Sequence, residues 1–518
     1  MARSPGRGSG GRTSPAIPAS TPDLCRGAGS ESRPVAAPSS ERLRLPTRRV
    51  ASSARASTCR RSPTPEPAVE DSVDVNVPRW HKEVDSRLAP GEGLVKAACV
   101  FGLLVFAPAV AAADVVPVAS AAQLVAAIDA AQPGDEITLA PGTYTVAQNL
   151  DCDAAGTPEA PIKVRSAAFG DSLIRFAAVE GFKVSAPHWV FENLDVVGVC
   201  AVDSDCEHAF HVFGNADFLR IRDCRVRDFN AQIKSNITGG QFPDDVVVER
   251  CEFSDSRARN TSNPVTKIDV VGGRRWRVRA NLFRDGEKGG GDNVSYSAFL
   301  KGNSRDGVFE RNLVICEDAT AGGVRLGLSF GGGGSGPGSI CEDGTCTPEH
   351  QNGVLRNNVI AHCPADVGIY LNESAATRIE HNTLITNTGI DVRFAASTAT
   401  IRNNLVSGQI RDRDGGTSTS VANLTGLALG TYDLWFEDPA ALDLALTDGS
   451  AFVDQGVAIG ADVPDFCGHL RRDGAPDLGA IEYSTAAPCD ASLPGGGADL
   501  FHDDFETGGT GLWSLRVR

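Results

Sequence analysis

Apolar and polar residues alternate over short stretches through most of the chain after residue 120. The segment AAQLVAAIDAAQPGDEITLAPGTYTV changes period partway along. Leu124 and Ile128 follow a helical spacing, which predicts a short helix. After Gly134 the alternation has a period of two, which predicts a β-strand that ends at the turn Pro141-Gly142. Sustained helical periodicity is absent further on, so we expect short strands separated by turns.

A short phrase recurs along this region. Each copy has polar residues, then Asn, Asp or Cys, then an apolar pair, and the markers are Asn193, Cys224, Cys251, Asn281, Asn312, Asn357, Asn382 and Asn403 or Asn404. Most spacings are 21 to 31 residues, and one of 45 contains the insertion GGGGSGPGSICEDGTC. Repeats of this length built from strands indicate a solenoid of parallel coils. Stacking would place successive Asn amides over one another as a hydrogen-bonded ladder, with Cys224 and Cys251 in the same column.

The repeat resembles that of the right-handed parallel β-helix proteins, the architecture of the pectate lyase-like superfamily. The resemblance runs from about Ala121 to Tyr483, and DFCGHLRRDGAPDLGAIEY is similar to the closing segment of many bacterial β-helices. We therefore expect an all-β, single-stranded parallel β-helix over residues 114–484, with a short N-terminal capping helix.

The first 113 residues differ in charge from the remainder. They hold 16 basic and 10 acidic residues, whereas the other 405 hold 33 basic and 55 acidic ones. Residues 1–93 are rich in Ser, Pro, Arg and Gly, and we interpret them as a disordered extension or as sequence that is not translated, with the true start near Leu94. Lys96, an apolar run and Ala111–Ala113 follow, in the order of a signal peptide over 94–113. The alternative is a long extension before a membrane anchor.

Export agrees with the cysteines, because 11 of the 14 follow Ala113. We predict disulfides in the close pairs Cys200–Cys206 and Cys341–Cys346, and a third between Cys467 and Cys489. The odd count leaves at least one thiol free or paired between chains.

We interpret residues 485–518 as a linker and a sorting-like tail, with a terminal capping strand as the alternative.

Alignment of the coils predicts a column of polar side chains on one strand face. The column comprises His211, Lys234, Asp269, Lys301, Arg325, Asn372 and Arg393. Equivalent residues of successive coils lie about 4.8 Å apart. A basic strip on an acidic chain suits a linear anionic ligand such as a uronate-containing polysaccharide. The alternative is a solvated face on which Asp269 neutralises neighbouring lysines.

The text AFLKGNSRDGVFERN, followed by GGVRLG, resembles the lysine and arginine coils of the chondroitinase B and alginate lyase family. This resemblance implies that Lys301 abstracts the proton α to a uronate carboxylate and that Arg325 assists the leaving oxygen. Relatives that use calcium place acidic ligands just before the lysine, where this chain reads VSYSAF. Calcium is therefore an open alternative, and Lys234 or Arg393 would replace its charge.

The sequence lacks the motifs that would indicate other functions. The net charge of −16 argues against nucleic-acid binding, and no paired-carboxylate, Walker or nucleophile-elbow motif appears. The absence of a CxxC pattern argues against zinc, and His208 with His211 is more typical of a structural position than of a metal site. The remaining functional predictions are a secreted lyase acting on an acidic polysaccharide or a non-catalytic carbohydrate-binding or surface-structural protein, without a membrane span after signal cleavage.

Overall fold

The computed structural model describes residues 114–460, 463–472 and 474–483. Within these residues, the chain forms a right-handed parallel β-helix in which each full coil contributes one strand to each of three long parallel sheets. We name them sheets A, B and C, and in each coil the chain passes from sheet C to sheet A to sheet B. The predicted fold class is confirmed.

The strands stack in chain order within each sheet. Sheet A comprises Val115–Val118, Glu136–Leu139, Ile162–Ser166, Trp189–Glu192, Arg220–Arg222, Val247–Glu249, Arg277–Arg279, Val308–Glu310, Val354–Arg356, Thr377–Glu380, Thr398–Arg402 and Thr417–Val421. Sheet B comprises Gly142–Val146, Ser172–Phe176, Asp195–Gly198, Arg225–Arg227, Glu252–Ser254, Leu282–Arg284, Leu313–Ile315, Val359–Cys363, Thr383–Asn387, Leu405–Val406 and Leu424–Thr425. Sheet C comprises Leu150–Cys152, Glu180–Val184, His208–Phe213, Ala231–Asn236, Val265–Val271, Val294–Lys301, Val324–Phe330, Ile369–Asn372, Gly389–Arg393 and Gln409–Arg413.

The remaining elements are short. A small parallel sheet joins Ser304–Arg305, His350–Gln351 and Ser374–Ala375, and an antiparallel pair joins Phe436–Asp438 and Asp443–Leu446. The helices are Ala121–Asp129 and Leu429–Tyr432, with 3-10 turns at Asp203–Asp205, Gly338–Ile340 and Pro439–Ala441. The first helix buries Leu124 and Ile128 against the interior at the N-terminal end, so the predicted capping helix is confirmed.

A tight corner between sheets A and B explains the recurring phrase. In each repeat one residue adopts a left-handed backbone, as Asp223, Ala280 and Asn357 do at φ 56°, 53° and 53°. The next residue points inward and begins the ladder column. Asn is favoured there because its amide bonds both the amide of the next coil and the backbone of the previous one.

The amides form a continuous buried ladder that runs from coil to coil. Its members are Asn281, Asn312, Asn358, Asn382, Asn404 and Asn423. Cys224 and Cys251 continue the column as predicted, since Glu252 N donates to Cys224 O and Leu282 N to Cys251 O. The predicted marker Asn357 was wrong by one residue, because Asn358 occupies the column. In the coil that contains Asn193, the column residue is Leu194. Asn357 and Asn193 are the left-handed corner residues themselves.

The segment after the last coil packs against the outer surface of sheet B. Tyr432, Phe436 and Phe452 form a second apolar cluster with the outward residues Ile315 and Ile385. This packing explains why sheet B carries apolar residues on both faces over its last coils. The closing segment therefore covers the flank of the solenoid.

Both close disulfides are confirmed. Cys200–Cys206 and Cys341–Cys346 each close a small loop, and Cys316–Cys363, which the sequence reasoning missed, links two adjacent coils. Cys467 is disulfide-bonded, whereas Cys489 lies outside the described residues. Among the described cysteines, Cys152, Cys224 and Cys251 are free and buried.

The predictions for 1–93, 94–113 and 485–518 also fall outside the described residues. Among the described residues, no helix is both long enough and apolar enough to span a membrane.

Candidate functional site

The outward residues of sheet C form two adjacent columns rather than one. The register pairs His211 with Lys234 and Lys234 with Asp269, and the next residue in that column is Phe299. Lys301 lies two positions further along its strand, where it pairs with Val271. Because side chains on a strand alternate with a period of two, this slip keeps the residues on the same face.

The predicted single column is therefore wrong in register, although six of its seven members lie in one or the other of the two columns. The first column comprises Asp151, Lys183, His211, Lys234, Asp269, Phe299, Ser329, Tyr370, Asp391 and Arg411. The second column contains Lys301, Asn372, Arg393 and Arg413, which follow Leu300, Leu371, Val392 and Asp412 in the paired strands.

Arg325 lies away from both columns. It pairs with Ser295, four residues before Ser329, and its side chain is only 3% exposed. Its guanidinium donates to Glu287 Oε2 at 2.8 Å and to the carbonyl oxygens of Gly322, Cys316 and Thr320 at 2.6–3.0 Å. In this arrangement Arg325 holds the loop that precedes its own strand, and the predicted column does not include it.

Lys301 is a partly buried amine on the outer face. Its Nζ donates to Gly334 O at 3.0 Å and lies 4.7 Å from the centroid of the Phe299 ring. Burial lowers the pKa of Lys301 from the ordinary lysine value, and the charge of Lys234 lowers it further, while Asp269 and Glu349 oppose the shift. A larger fraction of Lys301 is therefore neutral near physiological pH than for an exposed lysine.

Ion pairs join opposite charges along the N-terminal half of the first column. Lys234 Nζ is 2.8 Å from Asp269 Oδ1, and His211 Nδ1 is 2.7 Å from Glu180 Oε1. His211 Nε2 lies 2.7 Å from Asn236 Oδ1, so each ring nitrogen faces an oxygen. The expected basic strip is thus neutralised pair by pair, as the alternative interpretation anticipated for Asp269. Sequence reasoning missed Glu180 and Asn236, which precede the detectable repeat phrase or lie at a strand end.

The C-terminal half carries a second group of cations. Arg393 Nη1 donates to Tyr370 Oη at 3.3 Å, and Arg393 Nε is 2.5 Å from Asp414 Oδ2. The guanidinium carbon lies 4.6 Å from the centroid of the Phe394 ring. Asn372 Nδ2 donates to Gly332 O at 2.7 Å, so this amide holds a loop.

Calcium does not fit the residues near Lys301. Among the described residues, no group of three or more His, Cys, Asp or Glu side chains could hold a metal ion. Asp269 is paired with Lys234, and Asp292 is paired with Lys288 at 2.8 Å. The His208 ring lies 5.4 Å from the His211 ring, and its Nδ1 is hydrogen-bonded to Ala231 O. Burial and, to a smaller extent, the charge of His211 lower the pKa of His208 to about 4.

Comparisons with known proteins give the fold. No family model and no curated protein matches the chain. The solved structure of the pectate lyase Pel9A is similar over 72% of this chain and 97% of that one, with a TM-score of 0.54 and 15% identity. An alginate lyase from Paenibacillus sp. is 14% identical, with a TM-score of 0.37 over 61% of this chain and 96% of its own. The chain thus has the β-helix fold seen in Pel9A.

Proposed function

We propose that this protein is a polysaccharide lyase that acts on an acidic, uronate-containing polysaccharide along the outer face of sheet C. The observation that carries the proposal is Lys301, a partly buried amine with a lowered pKa at the end of an open, polar strip. The pectate lyase Pel9A, whose fold this chain has, supports the same class of substrate. The proposed substrate contacts are His211 and Lys234, which are partly exposed on the strip. Asp269 is only 3% exposed and holds Lys234 through their ion pair.

Lys301 is the proposed base. In β-elimination the base removes the proton on the carbon next to the uronate carboxylate, which requires a neutral amine. A neutral Lys301 donates one N–H to Gly334 O and keeps its lone pair for this proton. Burial of Lys301 limits the hydration of its ammonium, which favours the neutral form.

Lys234 is the proposed partner of the substrate carboxylate. The proton to be removed becomes acidic only when the carboxylate charge is neutralised, and Lys234 is a lysine whose charge acts on Lys301. The C–H bond breaks, a carbon–carbon double bond forms, and the glycosidic C–O bond on the neighbouring carbon breaks. The leaving oxygen takes a proton from water on the open side, and the ammonium of Lys301 then gives the abstracted proton to the resulting hydroxide, so no water is consumed. Arg325 is buried in contacts with its own loop and does not touch the substrate.

The location follows from the cysteines. The described disulfides favour an oxidising compartment, and we propose that the protein is secreted or displayed at the cell surface.

The test is an ultraviolet assay for unsaturated uronates with alginate, pectate and chondroitin as substrates. We expect absorbance to grow with one of the three polymers, and Lys301→Arg to abolish it, because arginine keeps the positive charge but cannot act as a base at neutral pH. Lys163→Ala is the matched control, since Lys163 lies on sheet A in an exposed ion pair with Glu136. Full activity in Lys301→Arg would remove Lys301 from the mechanism.

A second function is favoured by the ion pairs of the strip. Lys234–Asp269 and His211–Glu180 leave little uncompensated charge, which suits a face that binds neutral or weakly charged carbohydrate without chemistry. Under this alternative, affinity electrophoresis in polysaccharide gels retards the protein while no polymer of the panel yields unsaturated product.

A further inference from the structure

The outer face of sheet C is open at both ends and closed in the middle. Lys183, His211 and Lys234 are partly exposed on the N-terminal half, and Arg393 is 34% exposed on the other. Between them the outward side chains are buried, with Phe299 4%, Ser329 0%, Tyr370 7% and Asn372 8% exposed. Phe299 and Asn372 are buried there because a segment of the chain lies over the sheet.

The covering segment is the start of the long insertion, residues Gly331–Gly334. Gly332 N donates to Ser329 Oγ at 3.1 Å, and Gly334 N donates to Gly331 O at 3.1 Å, so the chain turns back over the sheet. A Cβ on Gly332 would lie 2.9 Å from the Phe299 ring, and one on Gly331 would lie 1.7 Å from Asn372 O. The glycines are therefore required for the loop to lie flat on the sheet.

The loop is held on both of its sides. On one side Lys301 Nζ donates to Gly334 O, and on the other Asn372 Nδ2 donates to Gly332 O at 2.7 Å in a buried bond. The rest of the insertion is also fixed, because Asn303 Nδ2 donates to Pro348 O at 2.7 Å and Glu349 accepts from Gly302 N at 2.7 Å. The loop is part of the folded surface in this conformation.

Building on the proposed function, we propose that the Gly331–Gly334 loop ends the substrate groove immediately beyond Lys301 and makes the enzyme cut from a chain end. The polymer lies along the open half, over His211 and Lys234. It cannot continue past the base, because the ammonium of Lys301 touches the loop at 3.0 Å and leaves no gap as wide as a sugar ring. Each elimination therefore releases a short fragment.

The length of the products distinguishes an enzyme that cuts within the polymer from one that cuts at its end. An open groove admits the middle of a polymer and gives fragments of many lengths, whereas a groove that ends at the base admits only a terminus. Asn372 is then a specificity-determining residue that acts by holding the loop.

The test uses the full chain with the polymer that gives unsaturated product, sampled while only a small percentage of bonds is cut. Mass spectrometry should show short unsaturated fragments from the first sample, and the viscosity of the solution should fall only in proportion to the bonds cut. Asn372→Ala removes the amide on Gly332 O, and we expect longer fragments in early samples. Asn303→Ala, the matched control, removes a bond of the same length at the far end of the insertion and should keep the short products.

Three results would count against this inference. Early fragments of mixed length from the unaltered protein, with a rapid loss of viscosity, would overturn the closed groove and leave the lyase function intact. Short products from a folded Asn372→Ala variant identical to those of the unaltered protein would remove Asn372 from the specificity. A complete lack of unsaturated product from every uronate polymer would instead overturn the proposed function itself, and the closed groove with it.

Discussion

The asparagine ladder makes the strongest stability prediction, and its central member is Asn312. This side chain is fully buried and takes part in four hydrogen bonds. Its Nδ2 donates to Val278 O and to Asn358 Oδ1, both at 2.9 Å, and its Oδ1 accepts from the backbone N and Nδ2 of Asn281, both at 3.1 Å. Asn312→Ala removes all four and leaves the Asn281 N–H buried without an acceptor.

The expected cost follows from these contacts. A typical hydrogen bond contributes about 1 kcal/mol net, and a buried unsatisfied donor costs about 1–3 kcal/mol. The four lost bonds alone predict that Asn312→Ala lowers the free energy of unfolding of the solenoid by about 4 kcal/mol, or roughly a thousandfold in the unfolding equilibrium. The unsatisfied Asn281 donor adds to this cost. Asn423→Ala, at the solvent-accessible end of the ladder, should cost only about 1 kcal/mol because water replaces the lost partner.

The measurement is guanidinium denaturation followed by tryptophan fluorescence, with Trp189 and Trp276 as buried reporters. The two variants should unfold at clearly different denaturant concentrations, Asn312→Ala first. Equal midpoints for the two would refute the argument, because they would show that burial of the ladder adds nothing to its hydrogen bonds.

Three further predictions concern titration, buried charge and cross-linking. The pKa of Lys301 is lowered and its neutral form is the active one, so lyase activity should rise with pH through a midpoint below 10.5, and a midpoint at or above that value would contradict the assignment. Asp255→Ala leaves the buried ammonium of Lys267 without its partner at 2.5 Å and should cost about 3–5 kcal/mol in denaturation, most of it recovered when Lys267→Met is added. Removing the Cys316–Cys363 disulfide by a double Ala substitution should cost about 2–4 kcal/mol, and a reducing agent should destabilise the unaltered protein by at least as much, because it also opens the other disulfides.

The repeat made the fold predictable from sequence. The period of the phrase reports the length of one coil, and the residues that fix it must recur because each coil meets the same corner. Its exact register was harder to read, since Asn357 and Asn358 are both asparagine and only one of them points inward. The Cys316–Cys363 disulfide was hidden for a related reason. The insertion separates these residues by 47 positions although their coils are adjacent.

The site was only partly predictable. Lys301, Lys234 and Asp269 could be placed on one face because strand alternation survives a shift of two residues. The position of Arg325 could not be predicted, because the alternation of polar and apolar residues does not reveal that Glu287 and three carbonyl groups enclose its guanidinium. The position of the glycine loop over Phe299 also depends on tertiary contacts that leave no local periodicity.

The mass of the products is the most direct test of elimination at Lys301. Elimination at Lys301 cuts each bond without consuming water, so every new fragment that begins with the unsaturated sugar is one water lighter than the product of hydrolysis. The account predicts that the unaltered protein gives these lighter fragments from a uronate polymer and that Lys301→Arg gives none. A set of fragments that all have the full mass of hydrolysis products, or lighter fragments from Lys301→Arg at an undiminished rate, would contradict it.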